Sequence, residues 1–141
     1  MTERMSPYLI MDGRAREAVG FYQQAFDATV VGMQTFGEMP SDPNHPVPDT
    51  AKDLILHALL KIGDMEIMLS DTFPGTPFQP GNHINIAFVT DNIDRARKVF
   101  DALAEGGHIS MPFQQTFWSP GFGQLTDRFG VIWQISTETG R

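Results

Sequence analysis

Gln114–Ser136, QQTFWSPGFGQLTDRFGVIWQIS, is cut by two turn signals into three short strands. Ser119-Pro120-Gly121 breaks the aromatic run after Trp118, and Asp127-Arg128-Phe129-Gly130 breaks it again before Val131. In the second turn Asp127 binds its own backbone and Gly130 supplies a positive φ, so turn chemistry explains these residues without a catalytic role. Beyond it, Val131, Trp133 and Ile135 fall on one face of a strand and Ile132, Gln134 and Ser136 on the other. An amide among apolar neighbours is either satisfied by the fold or placed to bind something.

Working outward, the strands are expected at Ile109 to Trp118, Gly123 to Thr126 and Val131 to Ser136. Upstream, Asp91-Asn92 caps a helix whose stripe is Ile93, Ala96, Val99, Phe100 and Leu103, ended by Gly106-Gly107, and His83 to Val89 is the strand before it. The first half repeats this order. Tyr8 to Met11 is a strand and Asp12 an N-cap. A helix follows, with Ala15, Ala18, Val19, Tyr22, Ala25 and Phe26 on one side. Strands follow at Thr29 to Met39, Asp53 to Ile62 and Met65 to Ser70, the last two joined as a hairpin at Gly63-Asp64. Pro40 to Lys52 carries four prolines and reads as an exposed loop, with His45 solvated in it. His108, at a strand start after two glycines, also reads as exposed.

One offset of 79 places Ile10 on Val89, Asp12 on Asp91, Arg16 on Arg95, Phe21 on Phe100, Ala25 on Ala104 and Val30 on Ile109. The expected fold is therefore α+β, with two βαβββ modules in a single domain, 1–141. Module one spans 6–72, a connector 73–82 and module two 83–137. Each helix covers one face of its sheet, and the leftover faces are expected to curl into a half-open barrel whose hollow holds the functional cavity.

The totals narrow the function. At 141 residues the chain can bury roughly 70% of the surface its unfolded form exposes, so a real core is available. The absence of cysteine excludes disulfides, thiolate metal sites and cysteine nucleophiles. A net charge of −7 with dispersed basic residues argues against nucleic acid. No apolar run suits a membrane span and no leader is legible, so the expected location is the cytoplasm and no membrane partner is expected.

The double βαβββ order resembles the vicinal oxygen chelate superfamily of glyoxalases, bleomycin resistance proteins and extradiol dioxygenases. Several stretches resemble its PhnB-like branch: Ser6-Pro7-Tyr8-Leu9 with Asp12-Gly13, Phe36-Gly37-Glu38-Met39-Pro40, Pro48-Asp49-Thr50 and Ser70-Asp71. Thr116-Phe117-Trp118, and Gly121-Phe122-Gly123 through Thr126-Asp127-Arg128-Phe129-Gly130-Val131, belong to the same likeness. The resemblance implies a glyoxalase-like fold, a homodimer, and a protein that acts on or binds a small oxygenated metabolite. The alternative is a non-catalytic sequestering protein of the antibiotic-resistance type. Some relatives carry a methyltransferase label, which this chain does not support, having no glycine-rich strand-to-helix turn of the dinucleotide type.

Superfamily members that use a divalent metal as cofactor draw ligands from the first and last strands of each module. That pattern puts His83 and Gln134 forward as metal ligands. The first module departs from it, offering Pro7 or Tyr8 on its opening strand and Met68 or Ser70 on its last, with Glu66 nearby. Two neutral donors alone make a poor divalent site. His57, mid-strand beside Ile55 and Leu59, is either hydrogen-bonded within the sheet or a cavity-facing base. His83 with Asn85 at alternate positions suggests a lined pocket. Glu38, at a strand end next to the loop, completes the catalytic candidates. Phe36, Phe117, Trp118 and Phe122 are either core or interface, or an aromatic wall for a small-molecule ligand.

Overall fold

The computed structural model describes residues 3–40, 42–44 and 46–138, and the residues divide into two compact units, 1–79 and 80–141. His45 lies outside the described residues. In the first unit the order is β1 (Tyr8–Met11), α1 (Ala15–Phe26), β2 (Thr29–Thr35), β3 (Ile55–Ile62) and β4 (Met65–Asp71). The second unit has β5 (Ile86–Thr90), α2 (Ile93–Ala104), β6 (His108–Gln114), β7 (Phe122–Thr126) and β8 (Ile132–Thr137). Their sheets run β1-β4-β3-β2 and β5-β8-β7-β6, with the first and last strand of each unit parallel. Two βαβββ modules are thus present, and the α+β fold class read from the repeat holds.

Each helix packs its apolar stripe on one face of its sheet. Ala15, Ala18, Val19, Tyr22, Ala25 and Phe26 of α1 are all buried, as are Ala58, Leu60, Ile67 and Leu69 on the strands of the same unit. In the second unit Ala96, Val99, Phe100 and Leu103 are buried on α2, with Phe88, Leu125, Trp133 and Ile135 on the sheet. Ile93, counted with that stripe, is instead 44% exposed, because it opens the first turn before the helix meets the sheet.

The two helices start differently. Asn92 caps α2 as expected, its Oδ1 accepting the Arg95 N–H at 3.0 Å. The N-cap of α1 is Arg14, without a side-chain cap bond, so Asp12 is not the cap. The buried carboxylate of Asp71, at the end of β4, takes over from across the sheet, accepting from Ala15 N at 2.9 Å and from Ile55 N at 2.9 Å. Asp71 thereby extends β4 one residue beyond Ser70, where the sequence reading ended it.

Several strand limits also differ from the sequence expectation. β2 ends at Thr35, where Phe36–Glu38 forms a single 3-10 turn held by Phe36 N to Leu54 O and Gly37 N to Lys52 O. Asp53 and Leu54 precede β3, β6 stops at Gln114, and Phe117 and Trp118 lie in the following loop. The second module's first strand begins at Ile86, so His83 and Asn85 precede it. The turn at 127–130 is as read: Asp127 Oδ1 accepts from Phe129 N at 2.9 Å and Val131 N at 3.1 Å, and Gly130 sits at φ 90°. Its other oxygen accepts the Trp133 indole N–H at 2.9 Å, satisfying the largest buried side chain of the unit.

Candidate functional site

Strand alternation leaves each sheet a second face, away from its helix. In the second unit that face carries Phe122, Gln124 and Thr126 on β7 and Ile132, Gln134 and Ser136 on β8, all half-buried. Antiparallel register sets Gln124 directly opposite Gln134, and Phe122 opposite Ser136. Two primary amides side by side offer both donors and acceptors, with Ala87 on the far side of Gln134. At the Phe122 end the rings form a ladder: Trp118 lies 5.3 Å from Phe122 and Phe117 lies 4.8 Å from Trp118, both edge-on. Trp118 is 54% exposed and Phe117 98% exposed. The amides and rings together form a surface suited to an uncharged planar molecule bearing oxygen.

The loop bearing those rings is anchored from beneath. Ser119 Oγ donates its one proton to the Thr137 carbonyl oxygen at 2.6 Å, with the Gly121 carbonyl oxygen 2.9 Å away as the alternative acceptor, and it accepts from the N–H groups of Gly121 and Thr137, while Thr116 closes the turn onto Ser119. Trp118 is thus presented from a fixed corner and not from a free loop.

In the first unit the open face carries Tyr8 and Ile10 on β1, Glu66, Met68 and Ser70 on β4, and His57 and Leu59 on β3. Tyr8 reaches over β4 to His57, with Oη 3.3 Å from Nδ1 and ring centroids 5.8 Å apart. Glu66 is engaged by Arg4 at 2.8 Å. Phe36 is buried and packs edge-on against Phe73 at 5.5 Å, so its ring is occupied within the first unit's core. Glu38 is exposed and accepts the Thr35 hydroxyl at 3.2 Å. A cavity of about 300 Å³ lies under the proline-rich loop, lined by Phe36, Met39, Pro43, Val47 and Lys52 among others. At its rim Lys52 meets Asp49 at 2.7 Å, and that hydrogen bond, then the lysine charge, holds the exposed Asp49 carboxyl below its ordinary value.

His83 and Asn85 are both exposed, ahead of β5. The residue of β5 level with Gln134 is Ala87, and His83 lies four positions earlier, before the strand begins. Among the described residues no three His, Cys, Asp or Glu side chains gather where they could hold an ion. In the first unit the positions singled out by the metal-using pattern hold Tyr8, Met68 and Ser70, and the nearby carboxylate is neutralised by Arg4. These donors do not fit a divalent metal.

Sequence reading missed Tyr8 as the partner of His57 and Gln124 as the partner of Gln134. The second was recoverable. A hairpin centred on the Asp127–Gly130 turn pairs Thr126 with Ile132, and two steps further out Gln124 meets Gln134.

These two modules and their open faces define a protein of the glyoxalase class. The family model described as Glyoxalase/Bleomycin resistance protein/Dioxygenase superfamily matches residues 4–135, and the chain belongs to that superfamily. Protein PA1353 from Pseudomonas aeruginosa has a similar structure, with TM-score 0.88 and 38% identity over 99% of this chain and 100% of that one. Protein YjdN of Escherichia coli (strain K12) is 37% identical, covering 94% of this chain and 93% of its own. A PhnB protein from Bacillus cereus has TM-score 0.76 and 27% identity, over 96% of this chain and 100% of that one. The resemblance to the PhnB-like branch is therefore sound. The fosfomycin resistance protein FosX from Listeria monocytogenes, at 14% identity and TM-score 0.64, shares the fold alone; the match covers 99% of this chain and 95% of that one.

Proposed function

We propose that the protein binds a small, uncharged, oxygen-bearing organic molecule with a planar portion on the open face of the second module's sheet. The observation that carries this is the direct opposition of Gln124 and Gln134 beside the Phe122–Trp118–Phe117 ladder. The amides would meet carbonyl and hydroxyl groups, and the rings would cover the planar part. No acid or base stands among Phe122, Gln124, Gln134 and Ser136, which favours holding a ligand over transforming it at this face. Membership of a family that includes bleomycin resistance proteins supports the same reading. In this proposal the working form is a homodimer, to which the exposed Phe117 would contribute apolar surface.

The test uses the protein's fluorescence, since Trp118 is exposed and Trp133 is buried. A panel of neutral phenols and quinones is titrated against the wild type, Gln124→Ala and Gln134→Ala. Binding compounds should quench Trp118 and raise the melting temperature. Each amide deletion should weaken them about tenfold, the effect of losing one well-formed hydrogen bond. Equal affinity in all three proteins, or binding confined to cations, would refute the proposal.

A further inference from the structure

We infer that the ligand of the second sheet is a neutral fused-ring lactam, a planar bicycle whose ring carries adjacent C=O and N–H groups. The inference rests on the reading of that face given above and narrows its ligand to one chemical class. A bulge sets up the site. His108 lies opposite Thr126 and Ile109 opposite Leu125, so regular pairing would bring Ser110 to Gln124, but the register skips to Met111. Ser110 instead donates its hydroxyl to the Gln124 backbone carbonyl at 3.1 Å, and the half-buried Met111 takes the place opposite Gln124. One row across the sheet then reads Ala87, Gln134, Gln124, Met111, and the next reads Val89, Ser136, Phe122, Gln114. Both rows are uncharged, which suits a neutral ligand.

The amides select the class through what a ligand must replace. Each carboxamide has a carbonyl acceptor and two N–H donors, and among the described residues neither the Gln124 nor the Gln134 carboxamide has a protein partner. Both side chains are half-buried, so a ligand laid over them displaces the water that serves these groups. A donor or acceptor covered without a new partner weakens binding about tenfold. A quinone or lactone brings acceptors alone and leaves the carboxamide oxygens unserved. A lactam serves both kinds of group: its N–H donates to one carboxamide oxygen, and its C=O accepts from the other carboxamide's N–H.

Ring size follows from strand geometry. Gln124 and Phe122 lie two positions apart on one face of β7, about 7 Å, which two fused rings span and a single ring does not. With its lactam edge on the amides, such a bicycle brings its second ring beside Phe122 and Trp118, whose centroids are 5.3 Å apart. The Met111 thioether flanks the amide row from β6 and offers the ring a polarisable contact.

The test is isothermal titration calorimetry with 2-quinolone and with coumarin, the same bicycle with a ring oxygen in place of the N–H. The proteins are the wild type and a double variant, Gln124→Leu with Gln134→Leu, which keeps side-chain size and removes both amides; its melting curve shows whether it is folded. The wild type should bind 2-quinolone about tenfold more tightly than coumarin, and the double variant should bind both weakly and without distinction. The wild-type comparison stands whether or not the variant folds. Coumarin binding as tightly as 2-quinolone overturns the lactam assignment, and so does a preference for 2-quinolone that survives in the double variant. A phenol or quinone that binds where 2-quinolone does not overturns it too, but leaves the face of amides and rings standing as a ligand site. If none of these compounds binds, both readings fall.

Discussion

Replacing Asp71 with alanine should be among the most damaging single changes outside the apolar core. Its carboxylate is 3% exposed and accepts two backbone N–H groups at 2.9 Å each, one at the first residue of α1 and one at the first residue of β3. Alanine leaves both donors in surroundings where Ala15 and Ile55 have no exposed surface. A buried donor left without a partner costs about 1–3 kcal/mol, so the pair should cost about 4 kcal/mol. With an unfolding entropy near 2.1 cal/mol/K per residue, a chain of 141 residues loses about 3 °C of melting temperature per kcal/mol. Asp71→Ala should therefore melt about 13 °C below the wild type, and Asp71→Asn, which keeps one acceptor, about half as far below. Differential scanning calorimetry at neutral pH measures both. A drop under about 3 °C for the alanine variant would show that water or a rearranged helix start serves those donors equally well, and the cross-sheet cap would be wrong.

Two further outcomes follow from close contacts. Gly107→Ala should destabilise the second unit by about 2 kcal/mol in urea unfolding, because the added methyl collides with the Thr126 carbonyl oxygen, which the β6–β7 ladder holds in place. Trp133→Phe should cost a similar amount, since Asp127 Oδ2 loses the indole donor at 2.9 Å and a buried carboxylate oxygen is left facing a ring edge. Adding Asp127→Ala to that variant should lower stability further and not restore it, because the turn then also loses the Oδ1 acceptor of Phe129 N and Val131 N.

What the residues alone determined was the local order of the chain. Apolar spacing of 3.6 fixed α1 and α2 to within about a residue, because a stripe such as Ala15 to Phe26 fits no other period. The glycine and aspartate turns fixed both hairpins, and one offset revealed the duplication. Turn chemistry also settled Asp127, whose bonds to Phe129 and Val131 are local.

Partners brought together from distant parts of the chain were decided only by the tertiary structure. Asp71 caps a helix 56 residues earlier, and Tyr8 meets His57 across an intervening strand. No spacing rule encodes either pairing, since each depends on how β1, β3 and β4 align in the sheet. The place where β5 begins was equally invisible: His83, Ile84 and Asn85 carry strand-like alternation, but Gln134 on β8 is level with Ala87 and the ladder starts at Ile86. Sequence periodicity reports which face a residue would occupy if a strand existed there. Whether a neighbouring strand is present to pair with it is a property of the assembled sheet.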